Sequence, residues 1–315
     1  MSLDPSSSPI HVDTGPVGWP AIVVHGGAGA YERAFGDRAL ILRLEEAVDA
    51  ALDAGWAVLG SGGHPVDAAA AAVRVLEDHG DFNAGRGSVP NTAGEVEMDG
   101  SVMDGSGRAG AVACLTGHSA VAAARAVWAA EGGVSPGERV LLMAGPGADA
   151  FAAAAGVPTL VPVAGRTGSD GGPAAPRPLP PFSGEGTVGA VAVTVDGRFG
   201  AATSTGGRAG QPPGRVGDTP VPGAGVWADR GCAVSATGAG EAFILAGFSR
   251  LVSQRASAGD DLADAMRTAL LEVARYGGTG GGIALSGRGA WVAAYDTRAM
   301  ARGLLHPGGR YRAVL

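Results

Sequence analysis

Residues 157–186 set the terms for any fold this chain can adopt. Pro173, Pro176, Pro178, Pro180 and Pro181 stand there among glycine and alanine, and neither helical nor strand periodicity survives. The segment reads as an exposed linker between two patterned halves. It ends abruptly at Thr187, where TVGAVAVTV opens an alternating apolar strand, with residues 198–205 as its hairpin partner.

The first half begins with a short apolar strand at 21–25 that runs into a Gly-rich turn, His25-Gly26-Gly27-Ala28-Gly29. Leu40, Leu44, Val48, Ala51, Leu52 and Leu59 then recur at helical spacing, and Pro65 suits the first turn of an alanine-rich helix over 67–77. A loop at 83–87, strands at 95–103 and 109–116, a helix at 119–130, a strand at 139–144 and a helix at 148–155 follow. In the second half a strand at 232–237 precedes helices at 241–253 and 261–276, and 283–286 with 290–295 forms a terminal hairpin. Hairpin-joined strands and paired helices predict an antiparallel-rich α/β fold, a four-layer αββα sandwich, with no internal repeat. Residues 1–20 read as a flexible tail with neither a basic n-region nor an apolar h-region, and residues 21–315 as one catalytic domain.

Composition excludes several chemistries. The chain has 315 residues, 46% hydrophobic and 17% charged, so it can bury a sizeable core. All 23 residues of the Lys+Arg total are arginine. Without lysine there is no Walker-type phosphate loop, no Schiff base and no pyridoxal chemistry. A net charge of −7 and scattered arginines argue against a nucleic-acid partner. No apolar run reaches the ~20 residues that span a bilayer, so no membrane partner is expected. Cys114 and Cys232 have no metal-ligand spacing, and a reducing, cytoplasmic setting is the expectation. Codon bias can account for many of the 56 glycines, but not for those gathered at strand ends beside Thr, Asn and Asp.

A linker that delivers directly into Gly186-Thr187-Val188-Gly189 invites processing. Were the Gly186–Thr187 peptide cut, Thr187 would carry a hydroxyl beside its own α-amine, whose reference pKa of about 7.7 to 8.0 makes it a built-in general base. Thr187 can make the cut itself by attacking the Gly186 carbonyl, shifting the acyl group from N to O, and leaving an ester for water. An isolated GTVG more often marks only a β-branched residue opening a strand. Thr205 lies on the pairing strand and can face the same cleft. Gly214-Arg215-Val216-Gly217-Asp218 sets a guanidinium and a carboxylate three residues apart, able to hold the carboxylate and ammonium of an α-amino acid, though taken alone such a pair is more often a surface ion pair. Thr237-Gly238-Ala239-Gly240-Glu241 ends a strand and opens a helix, offering N–H groups and a hydroxyl to an oxyanion, or serving as an ordinary turn. His25 reads as structural.

Together and in this order, with Phe82-Asn83-Ala84-Gly85-Arg86-Gly87 and Met98-Asp99-Gly100-Ser101-Val102-Met103-Asp104-Gly105, these segments resemble the plant-type asparaginases, or isoaspartyl peptidases, of the threonine N-terminal-nucleophile hydrolases. The resemblance spans nearly the whole chain. It implies Thr187 as nucleophile freed at Gly186–Thr187, with Thr205 assisting and Asn83 supporting the reacting groups. Arg215 would bind the substrate α-carboxylate and Asp218 its α-amine. Thr237 and Gly238 would form the oxyanion hole, and Gly240 would line the pocket. It further implies no organic cofactor, a structural sodium on the backbone carbonyls of Leu76, Glu77, His79, Phe82, Ala84 and Arg86, and a dimer of αβ units. The chain departs from the family pattern at Gly210-Gln211, where Asn-Lys is common, at Thr219 for Ser, and at Met98-Asp99-Gly100-Ser101 for Leu-Asp-Ala-Cys, which reads as a packing matter. The alternatives are a glycosylasparaginase-like amidase, against which Gly186 and the missing signal argue, and an uncleaved amino-acid-binding protein.

Overall fold

Alternation along the strands sorts the core. In the computed structural model, which describes residues 9–29, 31, 34–130, 139–160 and 186–315, β2 (Ala21–Gly29), β6 (Val188–Val193), β7 (Phe199–Thr205) and β3 (Met98–Asp104) lie side by side. They form the centre of an eight-stranded sheet. Its flanks are β12 (Ala299–His306) and β13 (Gly309–Ala313) on one side, and β4 (Ala109–Leu115) and β5 (Leu142–Ala144) on the other. A five-stranded sheet runs β1 (His11–Pro16), β11 (Ala290–Tyr295), β10 (Gly280–Ser286), β9 (Cys232–Gly238) and β8 (Val226–Ala228). All these named pairings are antiparallel except β4 with β5. The chain is therefore a mixed α/β protein with two sheets.

Because successive strand residues point to opposite faces, residue parity assigns each side chain. Even-numbered Ile22, Val24, Val102, Val188 and Ala190 pack against α1 (Arg38–Gly60) and α2 (Pro65–His79). Odd-numbered Val23, Met103, Val191, Val193, Phe199 and Ala201 meet Ala233, Ile283 and Leu285 of the second sheet. The far face of that sheet, with Val234, Ala236, Ala284 and Val292, is covered by Phe243, Phe248, Met266, Leu270 and Val273. These come from α5 (Gly240–Ala246), α6 (Phe248–Ala258) and α7 (Leu262–Arg275). Two further helices, α3 (Ala120–Ala129) and α4 (Gly145–Ala154), lie near β3, β4 and β5.

Local chemistry explains the helix ends. Asp37 caps α1 by accepting the Leu40 N–H at 3.0 Å. Pro65 stands in the first turn of α2, as expected, and Gly80 closes that helix at φ +83°, a left-handed conformation natural to glycine. At Gly55, an added Cβ would lie 2.9 Å from the Ala68 carbonyl, so α1 and α2 approach closely because that position carries no side chain.

Several expectations are corrected. The segment taken as a tail is not free throughout: His11–Pro16 pairs with β11 in register from His11 opposite Tyr295 to Pro16 opposite Ala290. Its partner lies some 280 residues away, beyond the reach of local pattern. The expected turn after His25 is instead the continuation of β2 to Gly29, paired with β12 across a register shift between Met300 and Arg302. The supposed terminal hairpin is followed by β12 and β13. The expected helix at 241–253 breaks into α5 and α6 at Gly247, φ +58°. The beginning of the assumed linker is packed, with Val157 and Leu160 buried and Thr159 bridged to His118. The remainder of the linker, 161–185, lies outside the described residues, as do residues 1–8.

Candidate active site

The odd-numbered face that makes a dry core at one end of the central strands becomes polar at the other. β3 and β7 pair Asp99 with Thr205, and β6 and β7 pair Val188 with Ser204. Continuing the latter register by one residue sets Thr187 opposite Thr205. Residues directly opposite on neighbouring strands share a face, so Asp99, Thr205 and Thr187 form a row across three strands. Ser101, Thr203 and His25 form the next row inward, and each is buried.

Thr187 is 6% exposed, and its Oγ1 lies 3.5 Å from Thr219 Oγ1. Gly186 is wedged against β2 and β9: a Cβ on Gly27, φ +105°, would meet the Gly186 carbonyl oxygen at 2.6 Å, and a Cβ on Gly186 would overlap Thr237 Oγ1. Thr237 Oγ1 accepts the Ala28 N–H at 3.1 Å. The junction residue, the candidate nucleophile and the candidate oxyanion hydroxyl are thus brought together by three strands that are remote in sequence. Thr205 Oγ1 accepts the Gly207 N–H at 3.1 Å. Asn83 donates to the Gly207 carbonyl at 2.7 Å and accepts the Val89 N–H at 3.1 Å, which ties the 83–89 loop to the end of β7.

Beneath Thr187, His25 Nε2 lies 2.8 Å from Ser235 Oγ, which in turn lies 2.9 Å from Thr203 Oγ1. The imidazole also faces the Thr187 main chain, and burial pushes its pKa down to about 3. A neutral imidazole held by Ser235 is a structural part of the site, not a base for the hydroxyl. The reading of His25 as structural stands, though its place directly under Thr187 was not legible.

Arg215 donates from Nε and Nη2 to the two oxygens of Glu241, both at 2.9 Å, and Arg208 Nη1 stands 3.7 Å from the same carboxylate. The partner of Arg215 is therefore Glu241 on α5 rather than Asp218. Gly240 allows the approach: a Cβ there would lie 2.8 Å from Asp218 Oδ1 and 3.1 Å from Arg215 Nη2. Asp218 is buried with Oδ2 lacking a hydrogen-bond partner, and burial raises its pKa to about 6 against the opposing pull of Arg215. Gln211, at one of the departures from the family pattern, is buried and accepts from the Arg208 N–H at 2.9 Å and Arg215 Nη1 at 3.4 Å. Ser101 is more than packing: its hydroxyl donates to the Thr219 carbonyl at 2.5 Å.

In the 76–86 segment, a Cβ on Gly85 would meet the Glu77 carbonyl oxygen at 2.5 Å, and one on Gly87 would meet that of Gly80 at 2.6 Å. Phe82 O accepts the Ala84 N–H at 2.9 Å and Ala84 O the Gly87 N–H at 3.1 Å. The Glu77 side chain serves elsewhere, accepting from Ser119, from the Val121 N–H at 2.9 Å and from Ser204 at 2.6 Å, with its pKa raised by burial.

Comparison with known proteins decides the family. The asparaginase family model matches residues 18–170 and 169–313. The chain belongs to the asparaginase family. It is 40% identical to a plant-type L-asparaginase of Pyrobaculum calidifontis, over 91% of this chain and 97% of that protein. It is 38% identical to an isoaspartyl peptidase/L-asparaginase of Danio rerio, over 92% and 94%. To an isoaspartyl peptidase of Escherichia coli it is 37% identical, over 91% and 92%. Among the described residues of this asparaginase-family chain, no helix is long and apolar enough to cross a membrane.

Proposed function

We propose that this chain is a self-activating threonine amidohydrolase that acts on the side-chain amide of L-asparagine and on β-aspartyl dipeptides. The observation that carries the reading is the packing of Gly186–Thr187 against Gly27, Ala28 and Thr237, with Thr187 opposite Thr205. Thr187 Oγ attacks the Gly186 carbonyl, and the C–N bond breaks to give an ester and a free α-amine. Water then releases a Gly186 carboxylate and restores the hydroxyl. In the mature enzyme the α-amine takes the Thr187 hydroxyl proton as Oγ attacks the substrate's side-chain carbonyl. Thr237 and Gly238 stabilise the oxyanion, and Thr205 and Asn83 support the reacting groups. The amine or ammonia leaves with a proton, and water hydrolyses the β-aspartyl ester to aspartate. Arg215, shared with Glu241, holds the α-carboxylate, and the unpartnered Asp218 oxygen receives the α-ammonium beside Gly240.

The same reading takes the chain as one catalytic domain in a four-layer αββα sandwich, supported by the three separate packing clusters. It includes two αβ units per dimer and a cytoplasmic setting suited to the free Cys114 and Cys232. It also includes a sodium ion on the backbone carbonyls of Leu76, Glu77, His79, Phe82, Ala84 and Arg86; backbone oxygens are hard donors, and those of Glu77 and Phe82 lie close to Gly85 and Gly87.

Intact mass after incubation at neutral pH, with Thr187→Ala as control, tests the core claim. Two fragments divided at 186/187, absent in the variant, are expected, together with aspartate release from L-asparagine or a β-aspartyl dipeptide. A wild-type chain that remains whole and releases none overturns it.

A further inference from the structure

A guanidinium assigned to a substrate carboxylate already holds one of the protein's own. Arg215 donates from Nε and Nη2 to the two oxygens of Glu241, each at 2.9 Å, and from Nη1 to Gln211 Oε1 at 3.4 Å. Three of its five N–H groups are thereby engaged among the described residues, which leaves one on each terminal nitrogen for a ligand. Gly217 and Gly240 keep those nitrogens clear, since a Cβ at Gly217 would lie 3.0 Å from Nη1 and one at Gly240 3.1 Å from Nη2. A substrate α-carboxylate bound there puts two carboxylates on one guanidinium. Burial works against the Glu241 charge, yet the hydrogen bonds and charge of Arg215, with the charge of Arg208, hold its carboxyl below the ordinary range, so the second anion is present at neutral pH. Two anions that share a single cation repel each other across it.

The second cation stands just past the end of β7. Beyond Thr205 the chain turns at Gly207, φ +75°, where a Cβ would overlap the Gln211 side chain. Arg208 then closes a turn with Gln211 from both sides: its N–H donates to Gln211 Oε1 at 2.9 Å, and its carbonyl accepts the Gln211 N–H at 3.0 Å. The turn brings Arg208 Nη1 to 3.7 Å from Glu241 Oε2, the oxygen that Arg215 Nη2 already engages. The Arg208 and Arg215 side chains are 15% and 10% exposed against 47% for Glu241, so one half-exposed carboxylate bridges two largely buried guanidinium groups. We infer that Arg208 is a positioning residue for substrate recognition: it neutralises the Glu241 carboxylate that Arg215 shares with the substrate α-carboxylate, and thereby sets the affinity for that group. The inference rests on the amidohydrolase reading and deepens it. Glu241 orients Arg215 through two charge-assisted hydrogen bonds, and Arg208 offsets the repulsion that this arrangement creates once the substrate is bound. Because water reaches Glu241, the effect is screened and its size is modest.

The test is a double-mutant cycle on inhibition of the mature enzyme by L-aspartate, with kinetics on L-asparagine alongside. Arg208→Gln should be cleaved at 186/187 as wild type is and keep its kcat, while L-aspartate binds about three- to fivefold more weakly and KM rises by the same factor. Arg208→Lys, which keeps the charge, should recover most of the loss. In the Glu241→Gln background, where no second anion competes, Arg208→Gln should change L-aspartate affinity by less than about 1.5-fold. A merely structural Arg208 would lower affinity equally in both backgrounds and would not be rescued by lysine. An equal loss in both backgrounds, or wild-type affinity in Arg208→Gln, overturns the counter-ion role. Arg208→Met carries the same comparison if Arg208→Gln does not fold. Normal hydrolysis of L-asparagine by wild type alongside either overturning result leaves the parent reading standing, whereas a wild-type enzyme that neither hydrolyses L-asparagine nor binds L-aspartate overturns both.

Discussion

The two ends of the space between the sheets are built from the same strands and the same residue parity, yet they are opposites. At one end Val191, Val193, Phe199, Ala201 and Met103 make a dry contact with Ile283 and Leu285. At the other end Thr187, Thr203, Thr205, Asp99 and Ser101 continue those strands as a buried polar surface that meets Ser235 and Thr237. The apolar end holds the strands in place by burial. The polar end is affordable because its groups are hydrogen-bonded to one another or reserved for a ligand. Strand alternation therefore chooses the face, and distance along the strand chooses between core and chemistry.

Substitutions at the two ends should fail in different ways. The largest effect is expected at the polar end: Thr187→Ala abolishes self-cleavage and lowers turnover by about 10⁴-fold or more, with a melting temperature near that of the uncleaved wild type. Activity retained by this variant would remove the nucleophile from the polar row. Arg215→Ala should leave cleavage at 186/187 intact but raise KM by about 100-fold, the scale of a lost charge-assisted, bidentate contact. A block of cleavage would instead make the recognition loop part of the nucleophile's scaffold. At the boundary between the two ends, Gly189→Ala places a methyl group against Ser235 and His25. Overpacking there should cost about 1–3 kcal/mol in denaturant melts, with self-cleavage slowed as well.

The pH dependence of stability sharpens the contrast. Folded Asp99 binds its proton more tightly than the unfolded chain does, so its stabilising contribution is present below the ordinary Asp pKa and is lost as pH rises through about 7. His25 runs the other way: its folded pKa of about 3 gives stability above its ordinary value of 6.5 that is lost as pH falls toward about 3. Asp99→Asn should therefore melt at a higher temperature than wild type in mildly alkaline buffer, with the advantage shrinking toward the acid side. Equal melting at every pH would contradict the raised pKa. The smallest effect should come from exchanging sodium for choline, which is expected to lower stability by about 1 kcal/mol or less if the 76–86 carbonyls hold the ion. No ion-specific change would remove sodium from that loop.

Much of this arrangement was legible in the chain itself. The alternation of TVGAVAVTV placed β6, the helical stripe from Leu40 to Leu59 placed α1, and Pro65 marked the start of α2. Thr187, Thr205, Arg215, Asp218, Thr237 and Asn83 stood out through their motifs, and the fold gathers them near one end of the sheets. The Arg215–Glu241 pair was not legible, because the residues are 26 apart and nothing local says which carboxylate a guanidinium will choose. Asp99 and Ser101 carry only a faint signal in the sequence, two polar side chains at alternate positions of β3, which the pattern alone assigns to packing. The strand at His11–Pro16 carried none, since its edge position leaves its side chains only partly covered.

By itself the sequence determined the periodicities, the turn glycines and the junction at Gly186–Thr187, because these depend on backbone conformation and on the chemistry of adjacent residues. Only the tertiary structure decided that Ser101 would donate to the Thr219 carbonyl, that His25 would meet Ser235 against Gly189, and that Thr237 would reach Gly186. Those contacts join strands far apart in the chain, and their partners are selected by strand register and burial, which exist only after the two sheets have packed.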